Sequence, residues 1–179
     1  MQAFSQLDKQ YSDLRLLLVG CFEDEDPLPA NIRTDVEAHP HVIFAGPVQD
    51  KDTPAYYAAA DVLVLPSHRE GLPTVILEAQ AAGKPVVGAR ATGIVDLLKD
   101  EETGLLFPVG DVPALCKALE KLVADRKLAE KLGNAGMEQI RRNFQQKQIW
   151  EAVCEEYLSI LRTSGWFVHP MRQSDETPL

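Results

Sequence analysis

The sequence predicts an α/β fold: a parallel sheet with helices on both faces, followed by helices alone. Three observations carry that expectation. Apolar runs of strand length recur up to Phe107, helix-compatible stretches lie between them, and beyond Phe107 only helical patterns remain. Runs that are apolar without alternation suit strands buried on both faces, and strands separated by helices pair in parallel through right-handed crossovers. The expected architecture is therefore Rossmann-like.

The elements follow in order. LRLLLVG (Leu14–Gly20) reads as a strand, Leu28–Ala38 as a helix, and VIFAG (Val42–Gly46) as the next strand. Helix Pro54–Ala60 leads to strand DVLVLPS (Asp61–Ser67), and helix Pro73–Ala82 is ended by Gly83. Strands PVVGA (Pro85–Ala89) and GLLFP (Gly104–Pro108) complete the sheet. Three helices come after it: Val112–Val123, Lys127–Asn143 and the amphipathic Gln145–Arg162. Asp111 supplies a capping carboxylate to the first of them and Pro113 an early proline. The stretch Thr163–Leu179, with its GWFVHP, has no clear period and is expected to be a tail. The organisation read from sequence is thus one domain, 1–162, and a tail, 163–179.

Length and composition narrow the function. A chain of 179 residues, 45% apolar and 25% charged, fits one globular domain with a sizeable core. No apolar run is long enough to cross a bilayer, and MQAFSQLDKQ has no basic start followed by an apolar stretch, so the cytoplasm is the expected location. The net charge is −9 and the longest basic cluster is Arg141-Arg142, which excludes an electrostatic nucleic-acid binder. An anionic ligand must be held by local groups. Cys21, Cys116 and Cys154 are odd in number and form no CxxC pair, as buried reduced thiols do. His39, His41, His68 and His169 lack ligand spacing, so no metal is expected, and all except His68 read as surface or loop histidines.

The chemistry concentrates in REGLPTVILEAQAAG, Arg69–Gly83, where Glu70 and Glu78 are separated by seven residues. Ligands of open α/β sheets bind beyond the carboxyl ends of the strands, where loops lead into helix N-termini. Here the strand ends at Pro66, Gly71 permits a tight turn, and Pro73 suits the first helical position. Leu72 stands where a helix would normally have a capping Ser, Thr, Asp or Asn, which leaves the amides of Thr74 and Val75 without an obvious side-chain acceptor. Free amides at the positive end of a helix dipole bind anions, phosphate above all. Glu78 lies one turn beyond Thr74, roughly 6 Å along the axis, a spacing that suits a ribose diol beside a phosphate. Its neighbours are nearly all apolar, so a buried carboxylate in need of hydrogen-bond donors is expected. The plainer alternative, two solvated carboxylates, stays open on spacing alone. Neither GxxxxGK[ST] nor GxGxxG occurs.

These residues resemble the C-terminal half of retaining glycosyltransferases of family four, which have the GT-B fold. The likeness runs from LLLVG through HPHVIFAGPV, YYAAADVLVLPSHREGLPTVILEAQAAGKPVV, the Gly93 loop and DEETGLLFPVGD to FQQKQIWEAVCEEYLSIL. It is most similar to enzymes of bacterial exopolysaccharide and lipopolysaccharide synthesis. The resemblance implies that Glu78 binds the ribose hydroxyls of a nucleotide-sugar donor and that Glu70, the catalytic candidate, contacts the donor sugar. Leu72, Pro73, Thr74 and Val75, with Gly71, would hold sugar and diphosphate. Gly46 and Val48 are similar to the segment that touches the base, Gly20 opens a loop at the cleft, and Arg69 and His68 flank the donor pocket. Asp96 stands where many members have glutamate, a departure that leaves its role open.

The family's C-terminal half begins with a strand and a Gly-Arg-Leu…Lys-Gly segment whose cations neutralise the diphosphate, whereas this chain opens in the helix MQAFSQLDKQ. The resemblance therefore implies a donor-binding domain without its first strand and without an N-terminal acceptor domain. The implied donor is a nucleotide-diphosphate sugar, with UDP the expected nucleotide, and the acceptor a glycan or lipid-linked sugar. No cofactor is implied, and the parent could associate peripherally with the inner face of a bacterial membrane. Two other readings remain: a nucleotide-sugar 2-epimerase of the same architecture, and a non-catalytic nucleotide-sugar-binding or interaction module.

Overall fold

A computed structural model describes residues 1–22 and 29–164 of the chain. In chain order the elements are α1 (Gln2–Leu7), β1 (Leu16–Val19), α2 (Ala30–Ala38), β2 (Val42–Gly46), α3 (Thr53–Ala59), β3 (Leu63–Leu65), α4 (Thr74–Ala81), β4 (Val86–Ala89), α5 (Ile94–Leu97), β5 (Leu105–Phe107), α6 (Val112–Ala124), α7 (Arg126–Asn143) and α8 (Gln146–Thr163). The expected α/β class holds, with every strand pair parallel. Each predicted strand is found, β2 with the expected bounds and the other four shorter by residues at their ends. The short helix α5 lies where no helix was expected. The predicted tail falls almost wholly on residues 165–179, outside the described residues; Thr163 closes α8 and Ser164 caps it.

The strands form two sheets, β1-β2 and β3-β4-β5. In the first, Leu16 faces Val42 and Leu18 faces Phe44, with an irregularity before Val19. In the second, Val64 faces Val87 and Val87 faces Leu105. Burial on both faces, expected of all the strands, is realised in β4, where all four residues are buried. It fails in the first sheet, where Val19, Ile43 and Phe44 are 45%, 51% and 43% exposed.

The core forms around the second sheet. Ile76 of α4, Val86 and Val87 of β4, Ile94 of α5, Leu98 and Leu132 of α7 are all fully buried, and each such side chain contributes about 1.5–3 kcal/mol relative to exposure. Close approach of α7 depends on glycine: a Cβ at Gly133 would lie 2.1 Å from the Gly83 carbonyl oxygen, and one at Gly136 would lie 2.9 Å from Gln80 Cγ. Gly83 itself, at φ +71°, ends α4 as expected. Its N–H donates to Gln80 O at 2.9 Å, and that of Lys84 to Ala79 O at 2.9 Å, the bond pair of a Schellman turn.

Helix α1 buries Ala3, Phe4 and Leu7. Beyond it, Asp8 Oδ1 lies 2.5 Å from His41 Nδ1, and Asp8 Oδ2 3.8 Å from His39 Nε2. These two half-buried histidines lie in the loop between α2 and β2, as the surface-or-loop reading allows, and tie the end of α1 to the start of β2. The thiols differ from expectation. Cys116 is buried, whereas Cys21, just past β1, and Cys154, on α8, are exposed.

By compactness the chain divides into Met1–Arg141, which holds both sheets, and a second unit from Arg142. Helix α8 in the latter carries exposed apolar side chains, among them Trp150, Val153, Tyr157 and Ile160. Among the described residues no helix is long and apolar enough to cross a membrane.

Candidate functional site

The loop from Pro66 to Pro73 joins the carboxyl end of β3 to α4. Its conformation is fixed from below by the turn that follows β4. The Glu70 N–H donates to Thr92 O at 3.1 Å. Gly93, at φ +80°, lies so close that a Cβ there would sit 2.5 Å from Gly71 O and 2.7 Å from Glu70 O. The glycine that the turn geometry demands is therefore Gly93. Gly71, assigned the tight turn from sequence, does not take a positive φ; it is exposed, and its missing side chain leaves open space.

Helix α4 starts at Thr74, with Pro73 as N-cap at φ −73° and ψ 93°. Pro73 was expected one position further in. A prolyl side chain accepts no hydrogen bond, and no side chain caps this helix. The Ile76 N–H is met by Pro73 O at 3.0 Å, so the amides of Thr74 and Val75 are the ones that open toward solvent at the positive end of the helix. Thr74 and Val75 are exposed, Leu72 is 61% exposed, Pro73 is buried, and Glu70 is half-buried. Arg69 and His68 are exposed on the same loop. Acceptor-seeking amides, a carboxylate and a guanidinium thus share one accessible surface.

Glu78 differs from its expected surroundings. It is exposed, and the buried polar residue of α4 is Gln80, fully enclosed. The reason is helical geometry: Ile76, Ala79 and Gln80 turn into the core, which leaves Thr74, Val75 and Glu78 on the solvent side. Gln80 Nε2 donates to Thr103 O at 3.3 Å, while its Oε1 has no hydrogen-bond partner. Tyr57, half-buried on α3, has its phenol pKa pushed well above the ordinary tyrosine value, by burial first and then by the Glu78 carboxylate.

Gly20, Gly46 and Val48 gather at the carboxyl end of the other sheet. Gly20, at φ +128°, donates its N–H to Gly46 O at 2.9 Å, and Gly46 adopts φ +71°. Val48 is half-buried just beyond. The structure brings these residues together, and Glu70 through Glu78 together, but no hydrogen bond among the described residues joins the two groups. Asp96 lies in the first turn of α5 and is exposed. Arg90, at the end of β4, is engaged by Asp100. No group of three His, Cys, Asp or Glu among the described residues is placed to hold a metal ion.

Sequence reasoning assigned no role to Tyr57, Gly93 or Gln80, although all three stand in stretches that carry the resemblance. Only Gly93 leaves a local trace, as a glycine directly before the helical IVDL. A helix N-terminus beyond a parallel strand, with no side-chain cap, is a place where α/β proteins bind anions. Residues 1–139 match the family described as glycosyl transferases group 1, and the chain belongs to that family. It is 30% identical over 164 residues to a capsular polysaccharide biosynthesis glycosyltransferase of Staphylococcus aureus, covering 92% of this chain and 43% of that protein. It is 38% identical over 146 residues to a lipopolysaccharide core biosynthesis glycosyltransferase of Rhizobium meliloti (strain 1021), covering 82% and 41%. Among solved structures, sucrose-phosphate synthase from Thermosynechococcus elongatus superposes with a TM-score of 0.78 at 29% identity, over 90% of this chain and 42% of that one. Anabaena HepE in complex with UDP has the same fold, with a TM-score of 0.78 at 23% identity over 88% and 44%. The chain thus spans less than half the length of these relatives.

Proposed function

We propose that the chain is the donor-binding domain of a retaining glycosyltransferase, whose parent transfers a sugar from a nucleotide-diphosphate sugar to a glycan or lipid-linked acceptor. The observation that carries this reading is the uncapped start of α4 with Glu70 before it and Glu78 one turn into it. In this assignment the amides of Thr74 and Val75, with Gly71, Leu72 and Pro73, face the diphosphate. They and the helix dipole stabilise the charge that develops on it as the glycosidic bond breaks. Glu70 contacts the donor sugar as the catalytic residue, Glu78 accepts from the ribose hydroxyls, and Arg69 adds positive charge at the loop. Gly20, Gly46 and Val48 line the nucleotide side.

Uridine diphosphate is the nucleotide proposed, supported by a structural neighbour of the same fold solved in complex with UDP. Polysaccharide synthesis as the parent's role is supported by the two bacterial relatives, and the cytoplasm, at the inner face of the membrane, is the location proposed for it. No metal or cofactor enters the scheme. A donor panel on a protein of the relatives' full length, with product mass as the readout, tests it: one nucleotide sugar should be consumed with a glycosylated product and free nucleoside diphosphate. Conversion of a nucleotide sugar into its 2-epimer, or binding without turnover of any donor, would replace transfer with one of the two rival readings.

A further inference from the structure

We propose that Gln139, on α7, is a positioning residue for Glu70: it holds α5 in place, and α5 holds the loop that carries the carboxylate. The inference rests on the donor-site reading above and adds to it a residue from a helix that takes no part in the site. Gln139 is half-buried, and its Nε2 donates to Leu97 O at 2.7 Å. Leu97 is the last residue of α5, a helix of a single turn. The last carbonyls of a helix have no partner within it, and a helix this short is not stable by itself, so its place is set by what meets its ends. Burial of Ile94 and Leu97 draws α5 to the core. That attraction is non-directional, whereas the bond to Leu97 O fixes where α5 stands along its axis.

At the other end of α5 stands Gly93, its N-cap, packed so closely that a Cβ would sit 2.5 Å from Gly71 O and 2.7 Å from Glu70 O. Directly before it, Thr92 O accepts from the Glu70 N–H at 3.1 Å. The path from Gln139 to the Glu70 backbone is thus one hydrogen bond, one helical turn and a second hydrogen bond. Helix α7 can act as the fixed end because it is itself packed down. Leu132 is fully buried, a Cβ at Gly133 would lie 2.1 Å from Gly83 O, and one at Gly136 would lie 2.9 Å from Gln80 Cγ. Gly136 and Gln139 are three residues apart and so are neighbours on the helix surface. One side of α7 therefore meets both the end of α4, the helix of Glu78, and the end of α5, which bears on Glu70. An apolar side chain at position 139 would keep the packing and lose the donor.

Two measurements on the whole chain test the proposal. The first is amide hydrogen exchange read by NMR in Gln139→Leu, which removes the donor at similar size. The Glu70 amide should exchange roughly fivefold faster, the fold-change that one net hydrogen bond gives, while the amides of β4 keep their rates. Gln139→Lys, which retains a donor, should restore the Glu70 rate. An unchanged Glu70 amide, an equal acceleration throughout β4, or no rescue by lysine would overturn the proposal. Should Gln139→Leu not fold, Gln139→Glu takes its place, since an ionised carboxylate of the same shape donates nothing. The second measurement is calorimetry with uridine diphosphate and with UDP-glucose as probes. Gln139→Leu should leave affinity for the first unchanged and weaken the second roughly fivefold, because Glu70 is assigned to the sugar. Equal weakening of both, or of neither, would overturn the positioning role. No binding of either probe to the wild type would sink the donor reading instead, and the exchange rates would still decide whether Gln139 holds Glu70.

Discussion

Glu70 and Glu78 belong to the same short segment, yet their surroundings differ. Glu70 is half-buried and fixed through its backbone, against Thr92 and Gly93, whereas Glu78 is exposed one turn into α4. Their substitutions should separate accordingly in the full-length enzyme. On the assignment proposed above, Glu78→Gln removes the charge that accepts the ribose hydroxyls, so free nucleoside diphosphate should bind less well by about 1.5–3 kcal/mol. Glu70→Gln should leave that affinity nearly intact and reduce turnover, because its contact exists only when a sugar is present. Calorimetry with the nucleotide and kinetics with the intact donor check both halves; equal losses of nucleotide affinity would contradict the assignment. The cysteines offer a second test. Cys116 is buried against α1, with Sγ 3.3 Å from Gln6 Oε1, and burial pushes its pKa up. A thiol reacts as its thiolate, so native protein treated with N-ethylmaleimide near neutral pH should lose Cys21 and Cys154 quickly and Cys116 only after unfolding. Mass spectrometry of the time course distinguishes this from three equivalent thiols.

Helix ends decide what each element can do. Helices α6 and α4 both follow a strand and a turn, but Asp111 Oδ1 accepts from the Ala114 N–H at 2.9 Å at the start of α6, while Pro73 can accept nothing through its side chain. One end is closed and the other open to a ligand. Asp111→Ala should therefore cost about 1 kcal/mol of stability and leave nucleotide affinity unchanged, as chemical denaturation and calorimetry would show. Gly93, the N-cap of α5, is the reverse case. Alanine there must adopt φ +80° and press its Cβ on the Glu70 and Gly71 carbonyls. Gly93→Ala should destabilise by roughly 1–3 kcal/mol and depress turnover more than nucleotide affinity, since it displaces the Glu70 loop. Element positions were legible in the sequence because apolar runs and turn residues are local signals. The exposure of Glu78 was not: TVILEAQA is apolar on nearly all sides, so its composition does not say which side meets the core.

At the scale of the whole molecule, the break between the sheets is the feature that needs a cause. Both sheets lie in the same compact unit, Met1–Arg141, and all their strands run parallel, yet no ladder joins β1 to β3. In the dinucleotide-binding type of doubly wound fold the strand order is 3-2-1-4-5-6. If β2-β1 takes the places of strands 3-2 and β3-β4-β5 those of 4-5-6, the one place left for a strand is between β1 and β3. The relatives that match are more than twice as long as the matched region, so a protein of their length has residues from which to supply it. Unpaired strand edges are sites where a further strand adds readily, because their N–H and C=O groups have no ladder partner. We therefore expect a longer form of the protein, with a short apolar strand ahead of Met1, to be more stable than this chain. A gain of about 2 kcal/mol, the burial of roughly one large apolar side chain, would raise the melting temperature by roughly 4–8 °C for a domain of this size. Amide exchange in Leu16–Val19 and Leu63–Leu65 should slow at the same time, since both strands would acquire a second neighbour. Equal melting temperatures, or exchange unchanged in those two strands, would show that the sheets are separate by design of the fold and that no strand completes them.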